Sequence, residues 1–178
     1  MIELQTNFDI NSTEIINFLN LSGEEREMVL SWRNHYNVRM WMYSDNKISL
    51  NEHINFIDRL AGDTNNFYWI VKNKDGISLG TIYLNKIDFK NKHAYIGIYS
   101  NPYNEFKTKG TLLIQCIKKL AFKVAELHTL KLEVIENNKK AINFYKKSGF
   151  NEEGRLKEFV FKDRKWHDVI IMGITNDL

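Results

Sequence analysis

The sequence contains one cysteine, one proline and no long apolar run in its 178 residues. Cys116 has no second cysteine to pair with, so an internal disulfide is excluded and a reducing, cytoplasmic location is expected. No stretch approaches the roughly 20 apolar residues that cross a bilayer. Residues 1–9 lack the basic and apolar regions of a secretory signal. We therefore expect a protein that does not associate with membranes.

Charge is nearly balanced, with 25 lysine and arginine residues, 22 aspartate and glutamate residues and a formal net charge of +3. A nucleic-acid-binding domain would carry a basic stripe, so nucleic acid is not an expected partner. The slight positive excess is compatible with an anionic small molecule such as a coenzyme A or a nucleotide sugar. Because no linker-like or repeated segment divides the chain, residues 1–178 are predicted to form one domain.

Hydrophobic periodicity predicts helices and strands along the whole chain. Capping boxes at residues 22–25 and 49–52 start the first two helices, and residues 111–126 have helical spacing of apolar residues. The predicted strands cover residues 14–19, 67–71, 77–84, 93–99, 129–135, 154–161 and 166–174. A helix joins the fourth and fifth strands, so that connection is expected to be a parallel, right-handed crossover. The predicted fold class is α/β, with a mixed, mostly antiparallel seven-stranded sheet flanked by helices.

The most informative stretch is residues 132–150. A strand with alternating apolar residues runs into an Asn-Asn turn, and a short amphipathic helix follows and stops at a glycine. Asn137 or Asn138 suits the N-cap, because its side-chain oxygen can accept a backbone N–H. Gly149 suits the left-handed position that commonly ends a helix.

This arrangement resembles the GNAT (general N-acetyltransferase) superfamily. The matching positions are Asn137, Ala141, Ile142, Tyr145, Gly149 and Phe150. The resemblance implies an acetyl-coenzyme A-dependent N-acetyltransferase whose fourth and fifth strands splay apart, with the pantetheine arm lying in the gap as a pseudo-strand. Residues implied to hold the pantetheine and thioester are Ile98, Tyr99 and Ser100 through their backbone, and Asn137, Asn138, Ala141 and Tyr145.

The segment before the third helix is the expected pyrophosphate site. The superfamily carries there an Arg/Gln-x-x-Gly-x-Gly/Ala loop, and this chain has Lys107-x-x-Gly110-x-Leu112, which departs at two positions. Free backbone N–H groups and the positive end of a helix dipole favour an anion, although the alternative is an ordinary basic turn. The resemblance implies that the coenzyme binds through Lys107, Thr108, Lys109, Gly110 and Thr111.

Two residues are candidates for the chemistry. Tyr145 stands at the superfamily's tyrosine position, which implies that its hydroxyl protonates the leaving thiolate; the alternative is a packed tyrosine. A thiol pKa of about 8.5 and a phenol pKa of about 10 make that transfer roughly balanced. Glu133 lies within a predicted central strand, where a carboxylate is costly unless it is paired or faces a cleft. It is predicted to bind the amine or accept its proton, and the alternative is a buried ion pair with a lysine. Further base candidates are Tyr83, Asp88 and His93, and no spacing resembles a metal site.

Several segments also resemble one branch of the superfamily, the N-acetyltransferases of pseudaminic acid biosynthesis. These segments are residues 32–35, 41–44, 48–49, 53–57, 92–99, 132–138 and 154–157. The resemblance implies acetylation of the 4-amine of UDP-4-amino-4,6-dideoxy-N-acetyl-β-L-altrosamine, on the route to a sugar that decorates flagellin. The residues expected at the acceptor are Met42, Tyr43, Phe56 and Tyr95 as an apolar wall, Arg33, Arg39 or Lys86 at the UDP phosphates, and His35 and Glu133.

Two other functions stay open at this point. One is an acetyltransferase for protein N-termini, of the kind that modifies ribosomal proteins, or for a polyamine, although a polyamine would require several carboxylates. The other is a noncatalytic acetyl-coenzyme A-binding module, which the atypical 107–112 loop suggests and Tyr145 disfavours. The expected partner is a small-molecule substrate, and a homodimer is a possible assembly.

Overall fold

The structure of the chain is a computed structural model that describes residues 4–10 and 12–176. The strands are β1 (Phe8–Asp9), β2 (Glu14–Asn17), β3 (Phe67–Lys72), β4 (Ser78–Asp88), β5 (His93–Ser100), β6 (Thr129–Ile135), β7 (Asn151–Lys162) and β8 (Lys165–Thr175). The helices are α1 (Gly23–Asn34), α2 (Tyr36–Arg39), α3 (Leu50–Arg59), α4 (Lys109–Lys119) and α5 (Lys139–Lys147). The chain therefore folds as the α/β protein that was predicted.

Local sequence signals set the helix ends. The side chain of Ser22 accepts a hydrogen bond from the backbone N–H of Glu25, whose carboxylate accepts one from the N–H of Ser22. Ser49 and Glu52 form the same capping box at α3, so both predicted starts are confirmed. The predicted helix over residues 111–126 begins earlier, with α4, and continues as a π-helical turn over Leu120–Val124.

All eight strands belong to one sheet, in the order β1-β2-β3-β4-β5-β6-β8-β7. The prediction of seven strands was wrong by one, because β1 has two residues and is too short to show a periodic pattern. The first predicted strand ends at Asn17, where a 3₁₀ turn (Phe18–Asn20) takes over. The pair β5–β6 is parallel and the other pairs are antiparallel, as the crossover through α4 requires.

The central pair of strands separates part-way along its length. β5 and β6 pair at three positions, His93 with Thr129, Ala94 with Leu130 and Tyr95 with Lys131. Beyond them β5 continues to pair with β4, and β6 continues to pair with β8. The predicted splay is therefore present, and it leaves two facing strand edges without a partner.

The two faces of the sheet pack against different helices. On one face, apolar residues of β5 and β6 pack with Leu113, Ile117 and Leu120, and with α5. On the other face, a smaller cluster around Trp32, Ile57 and Ile70 buries α1 and α3. Alternate residues of the central strands thus point to opposite layers, and the gap between β5 and β6 connects the two.

Candidate active site

A cleft of about 670 Å³ occupies the gap between β5 and β6. Alternate backbone N–H groups on the unpaired edge of β5 face this gap, because successive residues of a strand direct their N–H groups to opposite sides. Of the residues predicted to bind the coenzyme, those that line the cleft are Ile98, Tyr99, Ser100, Lys107, Lys109, Gly110, Thr111, Asn138, Ala141 and Tyr145. Thr108 and Asn137 do not line it; Thr108 is the residue before α4 and Asn137 borders a neighbouring cavity.

Tyr145 reaches the cleft from α5. Asn138 caps this helix, since its side-chain oxygen accepts a hydrogen bond from the N–H of Ala141 at 3.1 Å, and Gly149 ends it with a φ of 92°. The ring of Tyr145 is 8% exposed and packs edge-on against Phe150. Within the described residues nothing hydrogen bonds to its hydroxyl. Burial raises the pKa of Tyr145, so the phenol keeps its proton at neutral pH.

Tyr83 contributes a second phenol on the opposite side of the gap. It lies directly across from Gly97 in the β4–β5 ladder, and a Cβ on Gly97 would overlap its ring. Gly97 therefore lets the ring lie flat over β5, where it also stacks on Tyr68 with centroids 5.1 Å apart. Burial raises the pKa of Tyr83, and the nearby Tyr145 adds to the shift. A phenol held protonated in this way is a poor general base, which argues against one of the base candidates.

Glu133 lines the cleft from β6 and accepts a hydrogen bond from the hydroxyl of Tyr43. Burial and the Glu133 carboxylate raise the pKa of Tyr43, so the phenol is the donor. In the part of the chain that the structure describes, Glu133 forms no ion pair, while the neighbouring Lys131 pairs with Glu153. The lysine pair that was the alternative for Glu133 is not formed. A carboxylate at the cleft wall suits contact with an amine.

The loop before α4 is held by its own side chains. Lys109 donates from Nζ to the backbone oxygens of Asn101, at 2.6 Å, and Asn104. Asn104 in turn donates to the oxygen of Ser78 on β4. Lys109 was expected to contact the diphosphate, but its ammonium is already engaged by the loop, so its first role is to shape that loop. Lys107 is exposed and lines the cleft.

Some of the acceptor residues predicted from the sequence line the cleft or reach it, and the others do not. Met42 and Glu133 line the cleft, and Tyr43 reaches it through its hydroxyl. Tyr95 lies near enough to Tyr43 to raise the pKa of that phenol further. The Nη1 of Arg33 is buried and has no hydrogen-bond partner among the described residues.

Two further residues predicted to bind the acceptor, Phe56 and His35, do not line the cleft. Phe56 does not line the cleft but packs edge-on against Tyr68 at 5.0 Å, one ring behind Tyr83. His35 accepts a hydrogen bond from the N–H of Asn37 and thereby caps α2, so its side chain has a structural use. Its prediction as a substrate contact rested on a segment match, which does not reveal a cap.

Other candidates lie at the edges of the site. His93 and Asp88 stand 3.7 Å apart at the end of β5 that is paired with β6, so neither borders the open gap. Lys86 lies over the ring of Tyr95 at 5.0 Å. Arg39 borders a smaller cavity of about 210 Å³ that adjoins the cleft at Trp41.

Sequence reasoning did not assign Trp41 to the site, although Trp41 lines the cleft while Tyr68 packs behind Tyr83. Both belong to aromatic-rich stretches, and nothing in those stretches separates a core ring from a cleft ring. Among the described residues no group of histidine, cysteine and carboxylate side chains could hold a metal ion. None of the described helices is long and apolar enough to cross a membrane.

Comparison with known proteins identifies the family. Residues 25–171 match the model of the acetyltransferase (GNAT) domain. The chain is 32% identical over 148 residues to acetyltransferase PseH of Campylobacter jejuni, covering 82% of this chain and 88% of that protein. It is 26% identical over 141 residues to spermidine N(1)-acetyltransferase of Vibrio cholerae, covering 79% and 82% of the two chains.

Solved structures agree on the fold. The crystal structure of the Vibrio cholerae spermidine N-acetyltransferase with CoA and spermine superposes with a TM-score of 0.82 at 22% identity, covering 93% of this chain and 96% of that one. That of Campylobacter jejuni PseH gives 0.71 at 23% identity, covering 93% and 99%. The chain belongs to the GNAT family of acetyltransferases. It is an N-acetyltransferase that uses acetyl-coenzyme A, so the noncatalytic alternative is set aside.

Proposed function

We propose that this N-acetyltransferase acts in pseudaminic acid biosynthesis and acetylates the 4-amine of a UDP-linked 4-amino-4,6-dideoxy sugar. The observation that carries the proposal is the 32% identity to PseH, which extends over 82% of this chain and 88% of that relative. The substrate is UDP-4-amino-4,6-dideoxy-N-acetyl-β-L-altrosamine, and its product would serve flagellin glycosylation. The homodimer stays a prediction.

The residues at the cleft suit that substrate chemically. Met42, Tyr43 and Tyr95 offer apolar surface to a deoxy methyl group. The adjoining cavity is lined by Arg39 and Trp41, side chains of the kinds that suit a diphosphate and a flat base, together with two carboxylates, Asp45 and Asp163.

The reaction needs a neutral amine, a polarised thioester and a proton for the leaving thiolate. Glu133 binds the substrate ammonium and accepts its proton, and Tyr43 orients the carboxylate through its hydrogen bond. The amine then attacks the thioester carbonyl, and N–H groups on the free edge of β5 stabilise the oxyanion; such donors commonly contribute about 2.7–4 kcal/mol.

Tyr145 gives its proton to the coenzyme thiolate as the carbon–sulfur bond breaks. Burial raises the pKa of Tyr145 above its ordinary value, but a thiolate in the same water-poor gap is destabilised as well. The two pKa values therefore shift in the same direction, from ordinary values of about 8.5 for a thiol and about 10 for a phenol. The products are the N-acetyl sugar and free coenzyme A.

A second candidate substrate is a polyamine, which the spermidine acetyltransferase relatives favour. A polyamine carries several positive charges and requires several carboxylates. Glu133 is the one acidic residue in the described lining of the cleft. A single carboxylate offers little to a chain of several ammonium groups, so the lining favours a substrate with one amine.

A thiol-release assay with acetyl-coenzyme A tests the proposal directly. The purified protein is offered the UDP-4-amino sugar, the matching sugar with a hydroxyl at C4, spermidine and an N-terminal peptide of a ribosomal protein. Coenzyme release with the amino sugar, and no release with its hydroxyl analogue, is expected. Release with spermidine or peptide alone would show that the acceptor has been assigned wrongly.

A further inference from the structure

Lys162, the last residue of β7, has a buried side chain that is 8% exposed. In the described ranges it is the one lysine or arginine that falls in the buried class. An ammonium is costly to remove from water unless polar atoms replace the lost water. Its Nζ donates to the backbone oxygens of Arg39 at 3.3 Å, Met40 at 2.6 Å and Met42 at 3.0 Å. An ammonium has three donors, so these carbonyls satisfy all of them.

The three carbonyls lie at the end of α2 and just beyond it, where no further helical turn follows; the oxygen of Arg39 also accepts from the N–H of Met42 at 3.0 Å. α2 has four residues, and the next regular element, α3, begins at Leu50. The carbonyls that follow a helix end need side chains, water or a turn to satisfy them. Lys162 supplies that partner from 120 to 123 residues further along the chain.

The segment that Lys162 holds is the one that carries the acceptor side of the cleft. Trp41 and Met42 line the cleft, and Tyr43 donates to Glu133. None of these residues lies in a helix or strand, and the backbone of Trp41 and Met42 is tied to α2 by single turn hydrogen bonds, to the oxygens of Val38 and Arg39. Their placement depends on what binds the backbone beside them.

Other contacts on this segment are local or come from the same hairpin. Arg33 donates to the oxygen of Ser44 and Arg39 to that of Asp45, over 11 and 6 residues of chain. From the β7–β8 hairpin, Phe159 packs edge-on against Tyr43 with centroids 6.2 Å apart. Phe159 stands in an irregular stretch of β7, where the pairing with β8 shifts between Leu156 and Val160. The hairpin thus meets the acceptor segment at two places.

We propose that Lys162 is a positioning residue for the acceptor amine: by binding the carbonyl oxygens after α2, it sets where Met42 and Tyr43 stand relative to Glu133. It does not touch the reacting atoms, because its donors are occupied. This inference rests on the acceptor side assigned under the proposed function. It makes the β7–β8 hairpin, which is distant in sequence, part of the acceptor site.

The test compares Lys162→Met with the natural protein, using Lys162→Arg as the conservative variant and Lys157→Met as the control. Methionine keeps the length of the side chain and removes its donors, while Lys157 is an exposed lysine of the same strand. In Lys162→Met, KM for the amine is expected to rise by about tenfold to a hundredfold, since misplacement of about 1 Å has effects of that size. KM for acetyl-coenzyme A is expected to stay unchanged, and Lys162→Arg to recover most of the loss.

Three results would overturn the proposal. The first is an amine KM in Lys162→Met equal to that of Lys157→Met. The second is an equal rise in both KM values, which would indicate general loss of structure. The third is no recovery in Lys162→Arg.

Hydrogen–deuterium exchange separates this test from that of the proposed function. If the natural protein acetylates another amine, the same kinetic comparison is made with that amine. If Lys162→Met is too poorly folded for kinetics, or if no tested amine reacts, exchange in residues 39–44 decides. Exchange there is expected to be faster in Lys162→Met, or in the milder Phe159→Ala, than in Lys157→Met. Equal exchange in these residues would overturn the proposal, whatever the acceptor.

Discussion

The cofactor side and the acceptor side of the cleft are built in different ways. The cofactor side, formed by β5, β6, α4 and α5, consists of regular elements whose ends are marked by local residues such as Asn138 and Gly149. The acceptor side, formed by residues 40–49 and the β7–β8 hairpin, contains irregular backbone held by Arg33, Arg39 and Lys162. The comparison teaches that one enzyme can keep its coenzyme site on a rigid frame while the substrate site depends on contacts between distant parts of the chain.

The largest effect on catalysis is expected from Tyr145→Phe, on the cofactor side of the cleft. Loss of the hydroxyl removes the proton donor but leaves the ring packed against Phe150, so the cofactor side keeps its shape. We expect kcat to fall by about 10²–10⁴-fold, the usual contribution of a general acid. Affinity for coenzyme A, measured by calorimetry, should not change. A kcat equal to that of the natural protein would remove the role assigned to this hydroxyl.

A smaller loss is expected from Glu133→Gln, which removes the charge that meets the substrate ammonium on the acceptor side. We expect kcat/KM for the amine to fall by about tenfold to a hundredfold, because hydrogen bonds to charged groups contribute about 1.5–3 kcal/mol. Steady-state kinetics with the amine varied would measure this. Glu153→Gln, whose partner is the nearby Lys131, serves as the control and should behave like the natural protein.

Gly97→Ala tests how the ring of Tyr83, from β4, packs over β5 at the wall of the cleft. A Cβ at this position overlaps the ring of Tyr83, so the ring or the strand must move. Overpacking of this kind commonly costs about 1–3 kcal/mol of unfolding free energy, which urea unfolding would measure. The control is Gly154→Ala, because a Cβ there meets no atom within 4 Å. Equal stability of the two variants would mean that the Tyr83 ring moves aside without cost.

The smallest effect is expected from Asn138→Ala on the cofactor side. Loss of the cap of α5 should cost about 1 kcal/mol, and the melting temperature of a chain of this size should fall by about 2–4 °C. Thermal unfolding followed by circular dichroism would detect the change. Asn143→Ala, at an exposed position within the same helix, should leave the melting temperature the same or slightly higher. A drop of similar size in both variants would contradict the capping role.

Sequence reasoning predicted the helix ends well because the signals there are local. The two capping boxes at α1 and α3, and the Asn-Asn turn and Gly149 at α5, each act through residues within a few positions of one another. The splay followed from the family resemblance, and the structure bears it out in the three residue pairs between β5 and β6.

The rest of the site depends on contacts that no local pattern records. Lys109 resembles a phosphate ligand in the sequence, yet its ammonium binds the loop that carries it. His35 and Phe56 lie in segments that match the acceptor region, but one caps a helix and the other stands behind Tyr68. The approach of Tyr83 to Gly97 needs two strands in register, which a single sequence does not reveal.

The free edges in the gap have a consequence for the stability of the protein. A pantetheine arm that pairs with those edges acts as the missing strand between β5 and β6. Since only the folded chain offers such edges, each rise in coenzyme concentration adds to the free energy of unfolding. The resistance of this enzyme to heat is therefore expected to follow the concentration of coenzyme A around it, with or without an acetyl group.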